Sequence, residues 1–288
     1  MSDNNGNGNN GGRKPEETMI FVHLPKTAGT TLNRLIEYEY RPFDMFTVDP
    51  YFIHWSNAKL RRLSPERLKK FKVFKGHMGF GLHQLLPQPS TYITVLREPV
   101  DRAISTYYFM STYLLHPMYP KIKRLKWTLE DFITKFPRNN IQCKYLANLD
   151  WDATVTPETC ELAKSNLEKY FSVVGITERF KETLALLKLR FGWKLAFYTT
   201  FNRTRKRPEK KQVQQATLDL IREYNKFDIE LYEHGKKLFQ ASVEKHQEQI
   251  TAIVADLRKS REISPAQSTY QYSRAVFMKA VNRLYSAV

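Results

Sequence analysis

The chain is short of acid. Asp and Glu together number 29 against 46 Lys and Arg, and the formal net charge is +17 over 288 residues. That excess favours acidic partners: nucleotides, sulfated or uronic glycans, nucleic acid or an anionic membrane face. Cysteine is nearly absent. Cys143 and Cys160 are the only two, in no Cys-x-x-Cys pair. A zinc module is thereby excluded, two reduced, partly buried thiols are expected, and a disulfide between them has no special support. Asp and His form no cluster with metal-ligand spacing. No apolar run reads as a signal peptide or a membrane span. The first 18 residues are polar and rich in Asn and Gly, and they read as disordered. No internal repeat, zinc finger or RNA-recognition pattern is present. The Walker A pattern, Gly, four residues, then Gly-Lys-Ser/Thr, is missing too.

What is present is a strand, a loop and a helix. Met19 to Leu24 is an apolar strand, Pro25 ends it, and Lys26-Thr27-Ala28-Gly29-Thr30-Thr31 follows as a loop of small residues. Leu32, Leu35 and Ile36 then recur at helical spacing. Backbone N–H groups in such a loop, the helix N-terminus, hydroxyls and a Lys make a cradle for phosphate. The Lys here precedes the Gly, unlike in a Walker A loop. A second strand, Thr91 to Leu96, leads to Arg97, Glu98 and Pro99, and then to a helix with Val100, Ala103, Ile104, Tyr107 and Tyr108 on one face. Arg97 at the strand end and Ser105 two turns into the helix can converge on one phosphate.

This pair of motifs resembles the sulfotransferases that use 3′-phosphoadenosine 5′-phosphosulfate (PAPS). Lys26 to Thr31 is similar to the family's 5′-phosphosulfate loop, and Arg97 and Ser105 to its 3′-phosphate motif. The branch it resembles most contains the heparan sulfate 2-O- and 6-O-sulfotransferases and bacterial relatives. Lys75-Gly76-His77-Met78, Val174 to Phe180 and Asn202-Arg203-Thr204-Arg205 add to that resemblance. It implies PAPS as co-substrate, 3′,5′-bisphosphate (PAP) as product, no metal, and a hydroxyl acceptor, most often a glycan or other carbohydrate. Thr27, Ala28, Gly29, Thr30 and Thr31 would hold the 5′ phosphate, Arg97 and Ser105 the 3′ phosphate, and Arg203 and Thr204 a late loop over the nucleotide. Sulfuryl transfer runs in line through a loose transition state, so the protein chiefly positions groups and neutralises charge. Lys26 is then the group that stabilises the leaving oxygen. His77, just beyond a short strand, is the candidate general base, matching a His with that role in the 2-O- and 6-O-enzymes. His83 is its rival. Glu98 is a more distant alternative base, and reads first as a helix cap.

Strands at 19–24, 45–48, 72–75, 91–96 and 171–175 alternate with helical patterns at 31–40, 65–71, 99–112, 129–136, 157–170 and 178–191. The expected fold is α/β: a P-loop-like parallel sheet flanked by helices, with its ligand beyond the strands' C-terminal ends. The expected organisation is a disordered 1–18, a sulfotransferase domain over 19–240 and a helical C-terminal extension over 241–288. Residues 113–126 read as an irregular basic insertion near the site. The basic amphipathic tail at 264–288 reads as docking on the domain, a second subunit or a membrane surface. Golgi-type sulfotransferases normally carry an N-terminal membrane anchor. With residue 1 as the natural start, the expected location is cytoplasmic. With an anchor removed, it is the Golgi lumen. Two other functions compete. A P-loop kinase or NTPase needs the missing Walker loop and an Asp where Arg97 stands. A basic nucleic-acid binder needs a recognition pattern, so no specific nucleic acid is expected.

Overall fold

The structure, a computed structural model, describes residues 17–48, 53–136, 138–195 and 210–259, without the side chains of 53–57, 211, 258 and 259. Five strands, β1 (Thr18–Val22), β2 (Met45–Val48), β3 (Val73–Gly76), β4 (Ser90–Leu96) and β5 (Phe171–Ile176), form one sheet in the order β2-β3-β1-β4-β5. Every pairing is parallel. β1 lies at the centre, and all five of its residues are buried. Burial on both faces is why its sequence reads as an apolar run rather than an alternation.

Helices connect the strands: α1 (Gly29–Glu39), α2 (Ile53–Arg62), α3 (Pro65–Leu68), α4 (Pro99–Thr112), α5 (Tyr119–Arg124), α6 (Leu129–Lys135), α7 (Ile141–Leu146), α8 (Pro157–Tyr170) and α9 (Phe180–Phe191). After the segment outside the described residues come α10 (Gln215–Tyr224), α11 (Lys226–Lys245) and α12 (Gln247–Lys259). The expected parallel α/β sheet is present. Sequence periodicity misses α2 and the six-residue α7, which is too short to show a repeat. The basic insertion is not wholly irregular, since α5 lies within it.

The chain leaves β1 towards β2 and β3, and leaves β4 towards β5. Between β1 and β4 the connections therefore part in opposite directions, which opens a crevice at the strands' C-terminal ends. Both sequence motifs empty into it. Two cores support this arrangement. The larger surrounds the sheet and includes Phe21, Ile36, Phe74, Leu96 and Leu231. A smaller one joins α4, α5, α6 and α10 through Val100, Ile104, Ile122, Phe132 and Ile221. Cys143 and Cys160 are buried free thiols beside the Phe227 carbonyl. α11 runs unbroken across residue 240, and α12 buries Ile250 and Leu257 in the sheet core. The tail at 264–288 lies outside the described residues.

Candidate active site

The loop after β1 is shaped by its own side chains. The Thr27 hydroxyl donates to the Leu24 carbonyl at 2.9 Å, and Thr27 is fully buried. Lys26 and Ala28 take left-handed backbone angles, φ 68° and 62°. The Thr31 and Leu32 N–H groups then donate to Ala28 and start α1. Gly29 is required by packing: a Cβ there would stand 2.0 Å from the His23 ring. Its close approach is thus to a neighbouring imidazole. Thr30 is half-buried and Thr31 buried. The Lys26 ammonium lies 4.2 Å from the centre of the Phe109 ring on α4.

Arg97 leaves β4 and meets that loop. Its Nη1 donates to the Lys26 carbonyl at 2.8 Å. Its Nε and Nη2 donate to Asp101 one turn into α4. Its own backbone N–H and C=O are both bonded to the Gln142 amide, each at 3.0 Å. Ser105 is buried on α4. Glu98 caps that helix, accepting from the N–H groups of Val100 and Asp101, and Lys210 lies 3.2 Å from it. Its carboxylate is occupied by the cap, as its place before Pro99 implies. Beyond β5, the Thr177 hydroxyl donates to Leu96 O, and Glu178 accepts from the Glu98 N–H and the Tyr232 hydroxyl. These residues brace the strand ends.

His77 follows β3 directly. Because Val22 and Gly76 are register partners and the His23 N–H donates to Gly76 O, the next side chains of β1 and β3 meet. The His23 and His77 rings stack at 4.2 Å. His23 is buried, and its Nδ1 lies 3.1 Å from Asn33 Nδ2. Burial, then His77 and Lys75, push its pKa well below the ordinary histidine value. Lys75, itself buried in β3, reaches Glu37 on α1 at 2.9 Å. Burial alone would raise the Glu37 pKa, but the Lys75 and Arg34 cations outweigh it and hold the carboxyl low.

His83 lies elsewhere. Its Nδ1 is 2.9 Å from the Tyr92 hydroxyl, and its ring packs against Tyr170 and Phe80. Tyr92 is near the start of β4 and Tyr170 immediately precedes β5, so His83 sits at the N-terminal end of the sheet. Burial pushes the Tyr92 hydroxyl up to about 12, so it stays a phenol, accepts from the Gly81 and His83 N–H groups and shares a hydrogen bond with the His83 ring. Arg203 and Thr204 lie outside the described residues. Among the described residues no group of three or more His, Cys, Asp or Glu is placed to hold a metal ion. A cavity of about 610 Å³ opens beside the end of β5, between Glu178, Tyr232 and Lys236, but it reaches none of Lys26, His77 or Arg97.

Sequence reasoning placed 113–126 near the site but missed how Phe109, Tyr113 and His116 build its rim. Phe109 lies under Lys26, Tyr113 stacks on Phe109 at 5.4 Å, and His116 stands edge-on to it at 5.5 Å. Burial first, then the charges of Arg138 and Lys26, lower the His116 pKa. The dense basic and aromatic content of 107–126 was the available signal, without a motif to sharpen it.

A family model described as galactose-3-O-sulfotransferase matches residues 8–266. Galactosylceramide sulfotransferase of Mus musculus is 25% identical over 282 residues, covering 89% of this chain and 65% of the relative. Heparan sulfate 2-O-sulfotransferase hst-2 of Caenorhabditis elegans is 26% identical over 264 residues, covering 79% of each. Heparan-sulfate 6-O-sulfotransferase 2 of Danio rerio is 28% identical over 279 residues, with 78% and 58% covered. The chain spans about two thirds of the galactosylceramide relatives' length. These relatives correct one expectation. A cytoplasmic location rested on setting the polar N-terminus against the Golgi-type enzymes, and galactosylceramide and heparan sulfate sulfotransferases are of that type. Among the described residues no helix is long and apolar enough to cross a membrane.

Proposed function

The chain belongs to the galactose-3-O-sulfotransferase family, and from that premise we propose that it transfers the sulfuryl group of PAPS to a hydroxyl of a glycan or glycolipid. The observation that carries the reading is the hydrogen bond from Arg97 Nη1 to the Lys26 carbonyl. It couples the loop that would hold the 5′ phosphosulfate to the residue that would hold the 3′ phosphate. The residues fit such a ligand. The loop offers Lys26 and the start of an eleven-residue helix, and its turn is closed from within by Thr27. After its bonds to Asp101 and Lys26, two of the five Arg97 N–H donors remain for an anion. Ser105 stands on the helix that Arg97 leads into.

In the reaction the acceptor oxygen bonds to sulfur while the bond from sulfur to the bridging phosphate oxygen breaks. Lys26 meets the charge that builds on that oxygen. Its position over Phe109 removes part of its hydration, which strengthens its hydrogen bond to the leaving group. His77 takes the acceptor's proton. His23, packed against its face at the end of the neighbouring strand, fixes where that ring lies. PAP leaves, and the proton on His77 passes to solvent.

Calorimetry with PAP tests the site, and transfer of labelled sulfate from PAPS to a panel of galactosides, galactosylceramide and desulfated heparan oligosaccharides tests the reaction. The expected results are micromolar-scale PAP binding and a sulfated product of the expected mass. Binding of magnesium-ATP in place of PAP would overturn the reading.

A further inference from the structure

Arg138 has no ion-pair partner among the described residues. It lies in the connection between α6 and α7, half-buried, with its Nε closed off from solvent and without a hydrogen bond. The guanidinium carbon is 5.5 Å from the Phe136 ring centre and 5.8 Å from that of Trp151. The neighbouring cations are answered: Arg102 by Asp228 at 3.7 Å, and Lys144 by the Trp151 carbonyl at 2.8 Å. A half-buried cation with one N–H closed off from water and no counter-charge among the described residues is costly, and an anionic ligand relieves that cost. Trp151 is 51% exposed beside it, although large indoles usually bury most of their surface.

The pair is tied to both halves of the site. The Phe80 N–H donates to Tyr145 O at 2.8 Å, and Gly79 packs so closely on Asn148 that a Cβ would lie 2.4 Å from its Oδ1. The segment carrying Arg138 and Trp151 is thereby fixed to the loop that follows His77. On the other flank His116 feels the charges of both Lys26 and Arg138 and packs on the Phe109 ring beneath Lys26.

We propose that Arg138 and Trp151 form an acceptor subsite for an acidic glycan. The indole takes the apolar face of a sugar ring. The guanidinium takes the carboxylate of an adjoining uronic or sialic acid residue, for which its planar fork is suited. The acceptor role rests on the sulfotransferase reading, whereas binding of the acidic sugar does not.

The test titrates the full chain, with PAP present, with a glucuronate-containing disaccharide and with its neutral methyl ester, following tryptophan fluorescence. The acid should quench and bind on the order of tenfold or more tightly than the ester, as expected for a hydrogen-bonded charge pair. Arg138→Gln should abolish that ratio, and Arg138→Lys should restore it in part. Trp151→Phe should remove the quench; Trp127 and Trp193 are buried and Trp55 is kept in the variant, so a quench that survives belongs to another indole and overturns the placement of the sugar on Trp151. PAP affinity and melting temperature should hold in all three variants. Equal binding of acid and ester by the unmodified protein overturns the subsite. So does an Arg138→Gln variant that loses PAP and sugar alike, because the guanidinium would then belong to the nucleotide. Acid-selective binding without sulfate transfer overturns the enzymatic reading alone. Transfer to galactosides with no gain from a carboxylate overturns the subsite alone.

Discussion

His77 and His83 lie a few residues apart in the chain and at opposite ends of the sheet. His77 follows β3 at the C-terminal edge, where its ring meets His23 and the crevice between β1 and β4 opens. His83 belongs to the short turn Leu82–Leu85 and is held by Tyr92, Tyr170 and Phe80 at the other edge. The residue type is the same, and burial lowers the basicity of His83 too, though less than that of His23. What separates them is topology. In a parallel sheet one edge collects every loop that follows a strand, and ligands gather there. A lowered histidine pKa is therefore no guide to chemistry in this fold until its edge is known.

The largest expected effect breaks or keeps this contrast directly. His77→Ala should reduce turnover by about 10²–10⁴-fold, the usual worth of general-base assistance, with PAP affinity little changed. Its pH profile should lose the limb that reports deprotonation of the base. His83→Ala should retain most turnover. Steady-state kinetics on both variants, with circular dichroism as a fold control, decide it. Near-normal turnover in His77→Ala, with loss in His83→Ala, would reverse the assignment of the two edges.

Arg97 sharpens the contrast by showing what a ligand-holding residue at the same edge does. Arg97→Ala should raise the Michaelis constant for PAPS by roughly ten- to a hundredfold, as expected for a lost charge-assisted pair, with a smaller fall in turnover. Because Arg97 also holds the Lys26 carbonyl, part of the turnover loss should come from a loosened loop. Unchanged PAPS affinity would remove Arg97 from the nucleotide site.

At the far edge the expected effect is on stability. His83→Ala removes a part-buried hydrogen bond to Tyr92, while the backbone N–H groups of Gly81 and His83 still reach that hydroxyl. A cost of about 1–2 kcal/mol follows for one such bond and its packing. Denaturant unfolding measures it, and a loss of activity without loss of stability would contradict the structural role.

Much of this was legible in the sequence, for reasons that particular residues make plain. β1 and β4 are buried on both faces, so they read as largely apolar runs without a polar alternation. Pro25 and Pro99 mark where they stop. Lys26, Arg97 and His77 each stand just past a strand, and parallel topology alone then brings them to one edge. The parts that stayed hidden depend on contacts between distant segments. Gly29 reads as a phosphate-loop glycine, and only the packed His23 ring shows the close contact it makes here. α7 is held by Asp228 of α11, which accepts from the N–H groups of Gln142 and Cys143, so nothing local announces it. Arg138 has no motif, and its lack of a counter-ion among the described residues is visible only once its neighbours are placed.

The smallest effect concerns His23, which shares the edge with His77 but is sealed behind it. Its burial, the stacked His77 and the Lys75 ammonium keep the folded protein from taking up its proton at the ordinary histidine pKa. The unfolded chain takes that proton up near pH 6.5. Protons therefore favour unfolding. The stability from a neutral His23 is fully present above about pH 6.5 and is lost as the pH falls from there towards the lowered folded value. One proton sets a ceiling of about 1.4 kcal/mol per pH unit on this slope. His83 and His116, whose pKa values are also lowered, contribute in the same window. The informative quantity is thus the difference in slope between the unmodified protein and His23→Asn, measured by denaturant unfolding between pH 7.5 and about 5. An asparagine side chain cannot titrate, so the variant's curve should be flatter by up to one proton, whatever its absolute stability. Parallel curves would mean that His23 is protonated as readily in the folded state as in the unfolded chain, and that its burial beside His77 and Lys75 does not hold its proton off.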